Sequence, residues 1–107
     1  MTDAGETSDQ MAGLQKMRLA LVVLTSQETS NLLSRRQRVA GKEIEVMCAE
    51  RDLHRDGETD ENRAQLDELY REDAILRHAL REAEAEIERM EDLMVKINAD
   101  IAALCQS

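Results

Sequence analysis

Proline, phenylalanine and tryptophan are absent from this sequence, and Tyr70 is its only aromatic residue. Aromatic side chains supply much of the buried area in most globular cores. A core here must be built from Leu, Ile, Val, Met and Ala. Strands are also poorly provided for, because β-branched residues are sparse. Charged residues make up 35% of the 107 positions. That mixture favours long helices packed along narrow stripes, in at most one domain. No run of apolar residues is long. The longest, Leu19–Leu24, is far short of the roughly 20 residues that cross a bilayer. The acidic start, MTDAGETSD, is unlike a signal peptide. Basic charge is scarce too. A net charge of −9 argues against a general nucleic-acid binder or a polybasic membrane anchor. The sequence therefore reads as a soluble, intracellular chain with neither nucleic acid nor membrane among its partners.

The richest signal lies in the second half. Steps of three and four from Leu66 reach Leu69, Asp73, Leu76, Leu80 and Ala83. The same stepping continues through Ile87, Met90, Met94, Ile97, Ile101 and Leu104. Only Asp73 interrupts this apolar series, and a bend is least surprising there. A 3.5-residue spacing held over that length is a coiled-coil seam. Glu82, Glu84, Glu86, Glu88, Glu91 and Asp92 lie between the seam positions as a solvated acidic face. A single helix with so narrow a stripe needs a partner to bury it.

The first half offers one, less regularly. Leu32, Val39, Val46 and Leu53 recur every seven residues, and Leu33, Ala40, Ile44 and Met47 widen the stripe. Leu14, Met17, Leu21 and Leu24 form an earlier run that is out of phase with the first. Between them lies TSQETSN, residues 25–31. It reads as a stutter in a continuous helix or as a break capped by Thr25 with Glu28. Apolar residues from Leu19 to Leu24 cover every side of a helix. Such a segment wants contacts on more than one face, as in a three-element bundle or an oligomer. Gly41 reads as a tolerated mid-helix weak spot or as a place of close backbone packing.

Glycine occurs four times, and Gly57 stands between the two periodic halves. It suits a left-handed C-cap, with Thr59 or Asp60 behind it as N-cap and His54 and Arg55 in the preceding last turn. A stop followed at once by a start predicts an all-α fold, an antiparallel helical hairpin or three-helix bundle with coiled-coil packing. The expected boundaries are a flexible N-terminus over 1–10, a helix over about 11–54, a turn over 55–60 and a helix over about 61–105.

Cysteine is scarce as well. In a hairpin, Cys48 and Cys105 would stand on the order of 50 Å apart, too far for a disulfide. Cys48 reads as a small buried thiol, since nothing marks a base for it. His54 and His78 read as surface or cap residues, because neither sits in a cluster at ligand spacing. No glycine-rich phosphate loop exists. No catalytic residue, metal ligand or cofactor is expected, and the chain is not read as an enzyme. Binding surfaces remain. Arg35–Lys42 carries four positive charges and no acid, whereas Glu82–Glu88 carries four negative ones. They are two solvated faces, or a basic patch and an acidic patch for complementary partners. Candidate binding residues are Arg35, Arg36, Glu68, Glu72 and Tyr70.

The turn Asp56-Gly57-Glu58, with Asp60 and Glu61 behind it, resembles the tubulin-binding cofactor A family. Gln65 and Leu69, and the heptads Val39, Val46 and Leu53, align loosely with it over about residues 32–97. The chain departs from the family in using arginine for lysine and in lacking a proline before a third helix. That helix would begin after a bend near Asp73, or be replaced by Met11–Leu24. The resemblance implies a cytoplasmic, cytoskeleton-associated, non-enzymatic chaperone, monomeric or weakly dimeric. It would capture β-tubulin after chaperonin release and pass it on, with other tubulin cofactors as further partners. The alternatives are a structural coiled-coil adaptor of a larger assembly and, last, a prefoldin-like subunit.

Overall fold

Two long helices account for the fold, and their ends are chemically specified. In the computed structural model, which describes residues 4–106, α1 spans Ala4–Asp56 and α2 spans Asp60–Gln106. Gly57 adopts φ +89°, a conformation that costs other L-residues about 1–2 kcal/mol. Its N–H donates to the Leu53 carbonyl at 3.0 Å and closes α1. Thr59 then opens α2. Its Oγ1 accepts from the Asn62 N–H at 3.1 Å, while its carbonyl accepts from the Arg63 N–H at 2.9 Å. Asn62 Nδ2 reaches back to the Gly57 carbonyl at 3.3 Å. Asp60 and Glu61 occupy the first turn of α2, and His54 and Arg55 the last turn of α1, as the helix dipole favours.

The molecule is an all-α helical hairpin. Only residues 57–59 are outside the helices between Ala4 and Gln106, so the turn is tighter than 55–60. No strand and no third helix occurs among the described residues. The expected flexible stretch is corrected over 4–10, which is helical; residues 1–3 lie outside the described residues. Glu6 in the first turn suits the positive helix end, and no proline is present to stop it. α1 also runs unbroken through residues 25–31, and α2 through Asp73. Thr29 Oγ1 bonds the Thr25 carbonyl at 2.8 Å, so this polar stretch satisfies itself within the helix and does not cap a new one.

Every α2 seam position from Leu66 to Leu104 is buried or half-buried, Asp73 included. α1 is the less expected of the two. Its covered residues follow one uninterrupted heptad. One row, a, holds Met11, Arg18, Thr25, Leu32, Val39, Val46 and Leu53. The other, d, holds Thr7, Leu14, Leu21, Glu28, Arg35, Lys42 and Ala49. All are buried or half-buried except Arg18 and Arg35, which are exposed. The stutter is therefore absent. The two runs read as out of phase are one register in which Thr25 and Glu28 take apolar positions. Met17 and Leu24, assigned to the early run, lie outside it and are exposed.

The chain forms two compact units. In one, α1 up to Ser30 packs on α2 from Ala85. Leu21, Met90 and Ile97 are its buried centre, with Met94 and Ile101 against them. Thr25 Oγ1 faces Met90 Sδ at 3.8 Å, and Arg18 Nε donates to Asn98 Oδ1 at 2.9 Å. In the other, Asn31–Glu84, the buried side chains are Leu32, Val39, Val46 and Leu66.

Candidate functional site

The candidate residues Arg35, Arg36, Glu68, Tyr70 and Glu72 all lie in the Asn31–Glu84 unit, and they do not converge. Arg35 and Arg36 are exposed and form no ion pair among the described residues. Glu68 pairs with Arg71 at 3.1 Å on the surface of α2. Tyr70 is exposed and borders a shallow depression with Leu53, His54 and Glu58 at the turn. Glu72 accepts from Lys42 Nζ at 2.6 Å.

That last contact belongs to a polar layer which sequence reading caught only through Asp73. Lys42 stands on row d, half-buried, and bridges Glu45 at 2.8 Å and Glu72. Hydrogen bonds to Glu45 and then Glu72 raise its pKa above the ordinary lysine value. Beside it, Arg77 Nε donates to Asp73 Oδ2 at 2.9 Å and Arg77 Nη2 lies 3.9 Å from Glu43. The hydrogen bond to Asp73 raises the pKa of Arg77. Asp73 Oδ1 is buried and has no hydrogen-bond partner among the described residues. A polar layer in an apolar seam fixes register at a cost in stability. It explains why the Arg35–Lys42 run is not simply a solvated face: Lys42 turns inward while Arg35 and Arg36 stay outside.

Cys48 is corrected. It is exposed on the outward side of α1, not buried, and Cys105 is exposed as well. His78 is on the surface of α2, 3.1 Å from Glu82. Among the described residues no group of three or more His, Cys, Asp or Glu is placed to hold a metal ion, and no helix is long and apolar enough to cross a membrane.

The feature that sequence reading missed is the outward side of α1. With rows a and d turned toward α2, rows b, c and f face away, and every residue on them from Ala12 to Cys48 is exposed. Leu19 (65% exposed) and Val23 (51%) are there in one unit. Leu33 (55%), Ile44 (62%) and Met47 (62%) are there in the other. Lys16 is the single charge on these rows over that span. The same rows of α2 carry more charge, with Asp67, Glu68, Arg81 and Glu88 among them, although Ile75 and Val95 are exposed there too. The two helices thus differ in degree. The exterior of α2 mixes many charges with a few exposed apolar residues, whereas the outward rows of α1 are nearly free of charge over this span. The signal was present in the sequence, since Leu33, Ala40, Ile44 and Met47 were read as widening the inner stripe. They form a second stripe, b and f, spaced by three and four residues like the first.

No family model, no curated protein and no solved structure matches the chain.

Proposed function

We propose that this protein is a structural coiled-coil adaptor, a helical hairpin that works without catalysis by presenting helix faces to other polypeptides in an assembly. The observation that carries this reading is the outward side of α1. Large exposed side chains at Leu19, Val23, Leu33, Ile44 and Met47 recur at helical spacing on rows with one charge. Scattered surface apolar residues need no explanation, but an ordered, nearly uncharged row of them marks an interaction face. The affinity-tagged full chain, isolated from cells that express it, is expected to retain a stoichiometric polypeptide, itself or another. A variant carrying Leu33→Glu and Ile44→Glu is expected to lose it. Retention of nothing by the parent, or equal retention by both, rejects the adaptor reading.

A second reading, a tubulin-folding cofactor, is favoured by one observation. Asp56-Gly57-Glu58, the residues that carry the resemblance, lie at the tight inter-helix turn, with Arg35, Arg36, Glu68 and Glu72 on the same unit. It expects the folded protein to retain purified β-tubulin at low salt, and charge reversal at Arg35, Arg36 or Glu68 to weaken that retention. A folded protein that retains none rejects it.

A further inference from the structure

We infer that a cleft on one flank of the unit that packs α1 up to Ser30 on α2 from Ala85 docks a basic amphipathic helix of another polypeptide. The inference rests on the adaptor reading and names a partner for one surface within one unit. Shape is the first observation. The cleft holds about 470 Å³, with Val22, Thr25 and Thr29 on its α1 side. Met90 and Met94 line its α2 side, with Glu91 at the lip. Thr25 Oγ1 and Met90 Sδ stand 3.8 Å apart across the floor. Residues 22–29 give it a length of about 12 Å along α1. A groove between two packed helices, lined mainly by apolar side chains, suits the apolar face of a third helix. Methionine thioethers adapt to the side chains that enter.

The second observation is incomplete burial. From Leu19 to Leu24 α1 is apolar on every side, and of these residues only Leu21 is buried. A helix that is apolar all round is normally covered all round. The contact with α2 covers the side that carries Leu21. A third helix in the cleft covers Leu19 and Val22 on α1 and Val95 on the facing rim of α2.

The third is charge. The α1 side chains that border the cleft between Gln15 and Thr29 are neutral except Arg18, whose Nε already donates to Asn98 Oδ1. Those of α2 that border it include two acids, Glu88 and Glu91, and neither forms an ion pair among the described residues. On the opposite flank of the same unit the acids are matched. Glu86 pairs with Arg89, and Asp100 lies 3.8 Å from Lys96. The cleft flank lacks such cations, and a helix with Lys or Arg beside its apolar stripe supplies them. A second copy meeting this flank through its own brings the same two acids and no free cation.

Fluorescence anisotropy tests the inference with a labelled peptide of about 15 residues, built of leucine and lysine with leucine recurring at steps of three and four. The purified full chain is expected to bind one peptide with a Kd of about 10 µM. Glu88→Lys with Glu91→Lys, and separately Leu19→Gln with Val22→Gln, should each weaken binding by about 10-fold or more while helical circular dichroism is retained. Glu50→Lys with Glu61→Lys, the same change of charge in the other unit, should leave binding unchanged. A peptide with glutamate in place of lysine should not bind. The inference is overturned by no saturable binding of the lysine peptide, by an equal loss in the Glu50 and Glu61 variant, or by equal binding of the glutamate peptide. A parent that sediments as a dimer, and that Leu19→Gln with Val22→Gln returns to monomer, also overturns it, because the cleft then holds a second copy. The adaptor reading is judged separately, by the polypeptide retained from cells. A chain that retains one, releases it on Leu33→Glu with Ile44→Glu, and ignores the lysine peptide keeps that reading and defeats this inference.

Discussion

Gly57 and Thr59 decide where the chain reverses, and each does so through one backbone requirement. Gly57→Ala forces a Cβ into the left-handed region. Although no atom lies within 4 Å of that Cβ, the conformation alone is expected to lower stability by about 1 kcal/mol. Thr59→Ala removes the acceptor for the Asn62 N–H and should cost about 1 kcal/mol as well. Urea midpoints of the two variants against the parent check both. Ionisation adds a smaller, pH-dependent layer. The hydrogen bond from Arg55 holds the Asp56 carboxyl below its ordinary pKa, and the Arg55 charge adds to it. A lowered folded pKa stabilises above the unfolded value, and the gain is lost as pH falls through the folded pKa. Lys42 is the mirror case. Its raised pKa contributes fully below the ordinary lysine value of 10.5 and is lost as pH rises beyond it. The parent should therefore weaken slightly more than Lys42→Met between pH 9 and 11.5, measured by chemical denaturation at matched ionic strength. These residue-scale features were legible in part. The Gly57 stop and the Thr59 start are local chemistry, so the sequence shows them. The Lys42–Glu72 bridge joins residues on different helices, so it does not.

At the scale of the helix, α2 was legible throughout because a single apolar stripe admits a single orientation. Leu66, 2% exposed, and the eleven seam positions after it all face α1 as their spacing demands. Asp73 is the exception the seam tolerates. Replacing it with leucine removes a buried carboxylate oxygen without a partner, and is expected to raise stability by about 1 kcal/mol. The register set by the polar layer should loosen at the same time. The denaturation midpoint reads the first effect, and hydrogen exchange near Val39 and Val46 reads the second. α1 resisted the same reading. Its a and d rows include Arg18, Thr25, Glu28, Arg35 and Lys42, so a search for apolar periodicity jumps to Met17 and Leu24 and reports a stutter. Gly41 also becomes clear at this scale. A Cβ there would meet nothing within 4 Å, which makes it a weak spot and not a close approach between helices of one chain. Gly41→Ala should raise the thermal midpoint at low protein concentration by the equivalent of about 1 kcal/mol.

For the molecule as a whole, the buried core is thin. Among the described residues only Leu21, Leu32, Val39, Val46, Leu66, Met90 and Ile97 are buried, and all seven stand on the inner rows. Burying each side chain contributes about 1.5–3 kcal/mol against the entropy of ordering two long helices. The sequence by itself determined that the chain is helical, that it turns at Gly57, and which side of α2 is covered, because each follows from local preference or from one unambiguous period. Only the tertiary structure decided which of the two α1 stripes meets α2, and so which is left outside. Both stripes have the spacing of a seam. The choice rests on which of them pairs layer by layer with a partner running the other way, and that is a property of two helices together.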